Sequence, residues 1–208
     1  MVFFTNPMSR GRIVRWMLEE VGVPYRTEIV SYGEGGIKSA KYLAVNPMGK
    51  VPALVHEGTV VTECAAICAY LADAFPAAHL APPSGANAAR ATYYRWLFFA
   101  AGPVEAAITN HTFKLVPPPE KKASVGYGSY EEAIDTLETA VKVGPYICGE
   151  QFTAADVYVG SQIGFGLAFK TIEARPSFVA YWERLKSRPA MARGNQIDDA
   201  AIAQLKKG

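Results

Sequence analysis

The chain has 208 residues, 50% hydrophobic and 19% charged, which is ordinary usage for a folded globular protein and enough apolar material for a core in one or two domains. Its 21 basic and 19 acidic residues leave a formal net charge of +2 with no long basic block, so neither nucleic acid nor an anionic membrane is expected as a partner. Cys64, Cys68 and Cys148 lack C-x-x-C spacing and are too few for a disulfide scaffold, which suits a reducing compartment.

Val2-Phe3-Phe4 at the amino end is too short for the apolar core of a signal peptide, and the longest apolar run, Trp96 to Val104, falls short of the ~20 residues that span a bilayer. A cytoplasmic location is the expectation. Val2 to Thr5 reads as a strand, and Arg12 to Val21 as a helix with Ile13, Trp16 and Met17 at spacings of three and four, closed by Gly22 and Pro24. Arg15 and Glu19 have the spacing of an i,i+4 ion pair. Tyr25 to Val30 reads as a second strand, Gly33 to Gly36 as a loop before a short helix, and Val51 to Val55 with Thr59 to Val61 as a hairpin around Glu57-Gly58. An apolar helical pattern follows from Ala65. The order is β-α-β-α-β-β-α.

From Phe75-Pro76 to Gly85 the sequence turns to proline, glycine and small residues and reads as a linker. Everything beyond it is helix-like. Ala86 to about Lys114 is one long pattern, bent at Gly102-Pro103 and stopped by the prolines from Pro117. Tyr130 to Val143 forms the next helix. Thr153 and Asp156 have capping-box spacing, so Asp156 is read as a cap rather than a catalytic acid.

The densest information lies in Asn46-Pro47-Met48-Gly49-Lys50-Val51-Pro52 and in Thr62-Glu63-Cys64-Ala65. Proline cannot donate to a sheet ladder, so Val51-Pro52 marks a strand's first residue or a tight turn, where a cis bond is an option. Such a turn leaves the Val51 N–H and C=O free to pair with the backbone of a small peptide. The helix start after Glu63 is suited to a carboxylate, and Glu63 itself to an amine.

The pattern N-P-x-G-x-V-P-x-L followed by T-E-C-x-A-I-x-x-Y-L resembles the glutathione-binding half of cytosolic glutathione S-transferases of bacterial, serine- or beta-like type. The resemblance implies an α/β thioredoxin-like domain over residues 1–76, a linker over 77–85, and an all-α helical bundle domain over 86–208 that forms the electrophile site. It also implies glutathione as co-substrate, no metal, a homodimer, and transfer of glutathione to small hydrophobic electrophiles. A glutathione-dependent isomerase, lyase, dehalogenase or peroxidase, and a non-catalytic binding member, are the alternatives.

Such chemistry needs a donor that ionises the glutathione thiol. A free thiol of pKa ~8.5 is only about 3% thiolate at pH 7, and one hydrogen bond to the anion supplies about 1.5–3 kcal/mol towards the shift. The family places that donor in the turn after the first strand. Here Thr5 stands at a possible tyrosine position, Arg10 takes the place of the beta-type cysteine, and Ser9 falls near the serine hydroxyl. Ser9 ranks first and Arg10 second, each with a structural alternative: a helix cap for Ser9 and an ion pair for Arg10. Lys38 and Lys50 are candidates for the glycyl carboxylate, Val51 and Pro52 for the peptide backbone, and Glu63 and Cys64 for the γ-glutamyl end. Met8, Trp96, Phe99, Glu105, His111 and Phe113 are candidates for the electrophile, although an aromatic stripe at this spacing also suits a core and His111 a structural role. No phosphate loop, zinc spacing, dinucleotide fingerprint or G-x-S-x-G elbow is present.

Overall fold

The computed structural model describes residues 1–115 and 117–206. They divide into two compact units, one of residues 1–80 with 187 onward, the other of residues 81–186.

The first unit is built on a four-stranded sheet. Strand β1 (Val2–Thr5) is central, with β2 (Arg26–Ile29) parallel on one side and β3 (Ala53–His56) antiparallel on the other, and β4 (Thr59–Thr62) completes the hairpin. Helix α1 (Gly11–Val21) buries Ile13, Val14, Trp16, Met17 and Leu18. It stops at Gly22, whose left-handed backbone returns its N–H to the Leu18 carbonyl at 2.9 Å. Helix α2 (Ala40–Leu43) starts at Ser39, whose hydroxyl caps the Tyr42 N–H, and α3 (Cys64–Ala74) buries Ala65, Ile67, Cys68, Leu71 and Ala72. The order of elements is the one the sequence predicts.

The last helix, α9 (Pro189–Leu205), departs from the expectation that residues 86–208 form one helical domain, because it packs on α1. Charge explains the attachment. Arg15, only 1% exposed, bonds Asp198 through Nε at 3.2 Å, and its Nη1 reaches the Tyr25 hydroxyl at 3.0 Å and Thr27 Oγ1 at 2.7 Å. The guanidinium lies over the Phe3 and Tyr25 rings at 5.0 and 5.4 Å. Glu20 takes a two-pronged bond from Arg188 at 2.6 and 2.9 Å, and Glu19 pairs with Arg193 at 3.1 Å. The expected Arg15–Glu19 pair is therefore replaced. A surface i,i+4 pair is worth about 0.2–0.5 kcal/mol, too little to hold a buried guanidinium that finds a buried carboxylate and two hydroxyls. At Gly194 an added Cβ would come within 3.2 Å of Arg15 Cγ, so the glycine allows the close helix approach that brings Asp198 to Arg15.

The second unit is all helical: α4 (Asn87–Phe99), α5 (Glu105–Thr112), α6 (Tyr130–Val141), α7 (Ala154–Phe169) and α8 (Pro176–Lys186). Between α4 and α5 the chain widens to a π-helical turn over Ala100–Val104. Pro103 lies inside it and has no N–H to give to the regular ladder, so the irregular turn falls at the residues where a bend is expected. Helix α7 is buried on nearly every side, as a helix at the centre of a bundle must be. Asp156 in its first turn accepts from the Ile147 and Thr153 N–H groups, both at 2.8 Å, from Thr153 Oγ1 at 3.1 Å and from the Tyr181 hydroxyl at 2.7 Å. Its role is the structural one its spacing predicts.

Candidate functional site

The turn after β1 is held by its own polar groups. Asn6 is buried, with its Nδ2 donating to the Val30 carbonyl at 3.1 Å and its Oδ1 accepting the Met8 N–H at 3.0 Å. The Ser9 hydroxyl donates to the Asn6 carbonyl at 2.6 Å and accepts the Gly11 N–H at 2.9 Å. Ser9 therefore has its oxygen on the start of α1, while its proton points back into the turn. Thr5 is fully buried, which removes it from any ligand surface, and Arg10 is exposed. Met8 is 60% exposed, and its carbonyl lies 3.4 Å from the Tyr32 hydroxyl. Tyr32 escaped sequence reasoning because it sits in a glycine-rich loop with no periodicity.

The edge where the sequence places a bound peptide is built from residues 46–52. Asn46, 3% exposed, folds the Asn-Pro turn: its Oδ1 accepts the Met48 N–H at 3.1 Å, and its Nδ2 donates to the Lys50 carbonyl at 2.8 Å. The Tyr42 hydroxyl gives that carbonyl a second donor at 2.6 Å. The Val51–Pro52 peptide is cis, and β3 begins only at Ala53. Among the described residues the Val51 N–H and C=O have no hydrogen-bond partner, as the proline predicts. Lys38 is drawn beside this edge by a 3.2 Å bond from Nζ to the Met48 carbonyl, and Lys50 is exposed with no side-chain partner among the described residues.

Glu63 joins β4 to α3 with φ 67° and ψ 123°. A non-glycine residue held there stores on the order of 1–3 kcal/mol of backbone strain. Its carboxylate is exposed, caps nothing and has no partner among the described residues. Helix α3 thus begins without a side-chain cap, next to an unpaired acid. The Cys64 thiol lies 3.7 Å from the Arg10 carbonyl, which joins this helix start to the turn carrying Ser9. Ser9, Arg10, Glu63 and Cys64 come together, as do Lys38, Lys50, Val51 and Pro52.

The expected electrophile residues of the helical unit are scattered. Trp96 is 8% exposed, stacked edge-on against Phe99 at 5.6 Å with Arg95 over its outer face at 4.4 Å, so it belongs largely to the core. Glu105 accepts from the Tyr158 hydroxyl at 3.3 Å. Phe113 is 68% exposed, and His111 stacks on Tyr130 with ring centres 3.9 Å apart. A cavity of about 330 Å³ beside that pair is lined by Ala107, Asn110, His111 and Tyr127 among others, and by none of the other expected electrophile residues. Among the described residues no group of three or more His, Cys, Asp or Glu side chains could hold a metal ion.

A sheet ordered β2-β1-β3-β4 with an open main-chain edge at Val51 and a strained acid at the start of α3, in a chain that also holds an all-α unit, defines a two-unit protein with a thioredoxin-like first unit. The family model described as "Glutathione S-transferase, N-terminal domain" matches residues 8–74. A protein of Escherichia coli named glutathione S-transferase GstA is 33% identical over 165 residues, 78% of each chain. Among solved structures, a glutathione transferase from Methylococcus capsulatus is 28% identical with a TM-score of 0.78, covering 96% of this chain and 98% of its own. A sphingomonad glutathione S-transferase complexed with glutathione is 27% identical with a TM-score of 0.76, covering 96% of this chain and 99% of its own. The chain belongs to the glutathione S-transferase family.

Proposed function

We propose that the protein is an enzyme that transfers glutathione to small hydrophobic electrophiles. The observation that carries this reading is Val51, whose main-chain donor and acceptor are left open beside Lys38 and Lys50. A tripeptide laid against Val51 pairs its own N–H and C=O in the manner of a strand. Lys38 and Lys50 meet its glycyl carboxylate, Glu63 meets the γ-glutamyl amine, and the uncapped start of α3 at Cys64 meets the γ-glutamyl carboxylate.

The cysteinyl sulfur then falls to the turn at Ser9 and Arg10. Rotation of the Ser9 hydroxyl about its Cβ–Oγ bond redirects its hydrogen bond from the Asn6 carbonyl to a thiolate, the O–H bond staying intact and the oxygen still accepting from Gly11, and the Arg10 guanidinium is the second donor. The thiolate attacks an electrophilic carbon, a C–S bond forms, and the leaving group departs with the bonding pair. We assign electrophile choice to the helical unit, where Phe99, Glu105 and Phe113 remain the leading residues. We also propose that the protein works as a cytoplasmic homodimer, which a sedimentation experiment showing a single-chain mass would refute.

The test is calorimetric titration with glutathione, followed by ultraviolet titration of the bound thiol in the parent, Ser9→Ala and Arg10→Ala proteins. Turnover of chloro-dinitrobenzene with a thiol pKa raised in Ser9→Ala supports the reading. Binding without turnover would leave a non-catalytic binding protein, and the absence of binding at millimolar glutathione would overturn the assignment. Glu63→Gln is expected to weaken glutathione binding about tenfold, a loss typical of a charge-assisted contact.

A further inference from the structure

We propose that Arg12 is a positioning residue that ties the thiol-activating turn to the last helix of the chain. This rests on the reading of that turn given above. Arg12 lies in the first turn of α1, is half-buried, and divides its guanidinium three ways. Its Nε donates to the Pro7 carbonyl at 2.8 Å, inside the turn itself, while Nη1 donates to Asn195 Oδ1 at 3.3 Å and Nη2 pairs with Asp199, both on α9.

Apart from Arg12, the ties of the turn run to β2, to the loop at Tyr32 and to the start of α3: the Met8 carbonyl lies 3.4 Å from the Tyr32 hydroxyl and the Arg10 carbonyl 3.7 Å from the Cys64 thiol. Asn6 ties it to Val30 at the end of β2, and the Ser9 bonds are internal to the turn. The Pro7 carbonyl is the acceptor through which α9 is reached: a planar guanidinium spreads its donors over three nitrogens and spans this carbonyl and two α9 acceptors at once, whereas an ammonium offers its three donors from a single point. The Ser9 hydroxyl reaches a sulfur only if the backbone from Pro7 to Arg10 stays in place, and displacements of about an ångström at a reacting centre cost up to two orders of magnitude in rate. Helix α9 thereby acts on the sulfur's environment from residues 183 and 187 positions along the chain.

Two readouts test this, one of them independent of glutathione. In the free protein, Arg12→Met should speed amide exchange at Met8 and Ser9, whose N–H groups bond Asn6, by about tenfold, and Arg12→Lys should do so by less. In the complex, Arg12→Met should raise the bound thiol's pKa and move the acid limb of the kcat profile to higher pH, lowering kcat about tenfold at neutral pH with glutathione KM within about twofold. Asn195→Ala with Asp199→Asn, which leaves the Pro7 bond in place, should shift both readouts in the same direction by a smaller factor. Lowered thermal stability with unchanged turn exchange and an unchanged pH profile would overturn the proposal. If Arg12→Met does not fold, the α9 double variant decides by the same criteria. A parent protein that binds no glutathione overturns the proposed function alone, since the exchange experiment still decides whether Arg12 holds the turn.

Discussion

Tyr42 donates its phenolic hydrogen to the Lys50 carbonyl at 2.6 Å, immediately before the open main chain of Val51. Asn46 Nδ2 reaches the same oxygen at 2.8 Å, so two donors orient the peptide between Lys50 and Val51. Burial pushes the Tyr42 phenol up to about 12, and it therefore remains a donor at every pH where the protein works.

Removing that donor loosens the edge without touching the thiol. Tyr42→Phe should cost about 1 kcal/mol of stability, the net worth of one neutral hydrogen bond, and raise glutathione KM several-fold with kcat nearly unchanged. Steady-state kinetics with varied glutathione checks this. An unchanged KM would mean that the Lys50 carbonyl needs only Asn46.

Asp156 carries a different load. Burial pushes its carboxyl above the ordinary range, opposed by the four donors that converge on it. Asp156→Ala leaves the Ile147 and Thr153 N–H groups and the Tyr181 hydroxyl buried without an acceptor, an expected loss of about 3–5 kcal/mol. Urea unfolding measures it. A loss below about 1 kcal/mol would show that water replaces the carboxylate.

The Glu138 carboxylate predicts a pH dependence. Bonds from Lys142, then Ser177 and Arg175, lower its pKa from 4.5 to about 2. A depressed acid stabilises the folded state above its unfolded value and loses that contribution on protonation. The contribution is complete above pH 4.5 and falls away as the pH drops through about 2. Denaturant titrations across that interval should show a steeper decline for the parent than for Glu138→Gln. Parallel curves would remove Glu138 from the acid response.

Much of this was legible in local sequence. Asn46-Pro47 and Val51-Pro52 announced a turn and an unpaired backbone, and both are present because proline's missing N–H is a covalent fact that packing does not change. Thr153 and Asp156 announced a helix start for the same local reason. The aromatic stripe of α4 was less informative, because periodicity says that one face is apolar and not what covers it; Trp96 largely joined the core. Ser9 was recognised, but the direction of its hydroxyl was not, since that depends on where the Asn6 carbonyl points after Asn6 has bonded to Val30.

By itself the sequence determined the β-α-β-α-β-β-α succession up to α3, the open edge at Val51 and the acid at Glu63. Each of these follows from a few neighbouring residues and the backbone geometry they permit. Tertiary structure alone decided that Arg15 meets Asp198 instead of Glu19, and that Arg12 joins Pro7 to Asn195 and Asp199. An arginine in one helix selects its carboxylate after the chain has closed a loop of more than 180 residues, and burial then favours the partner that best replaces its lost water.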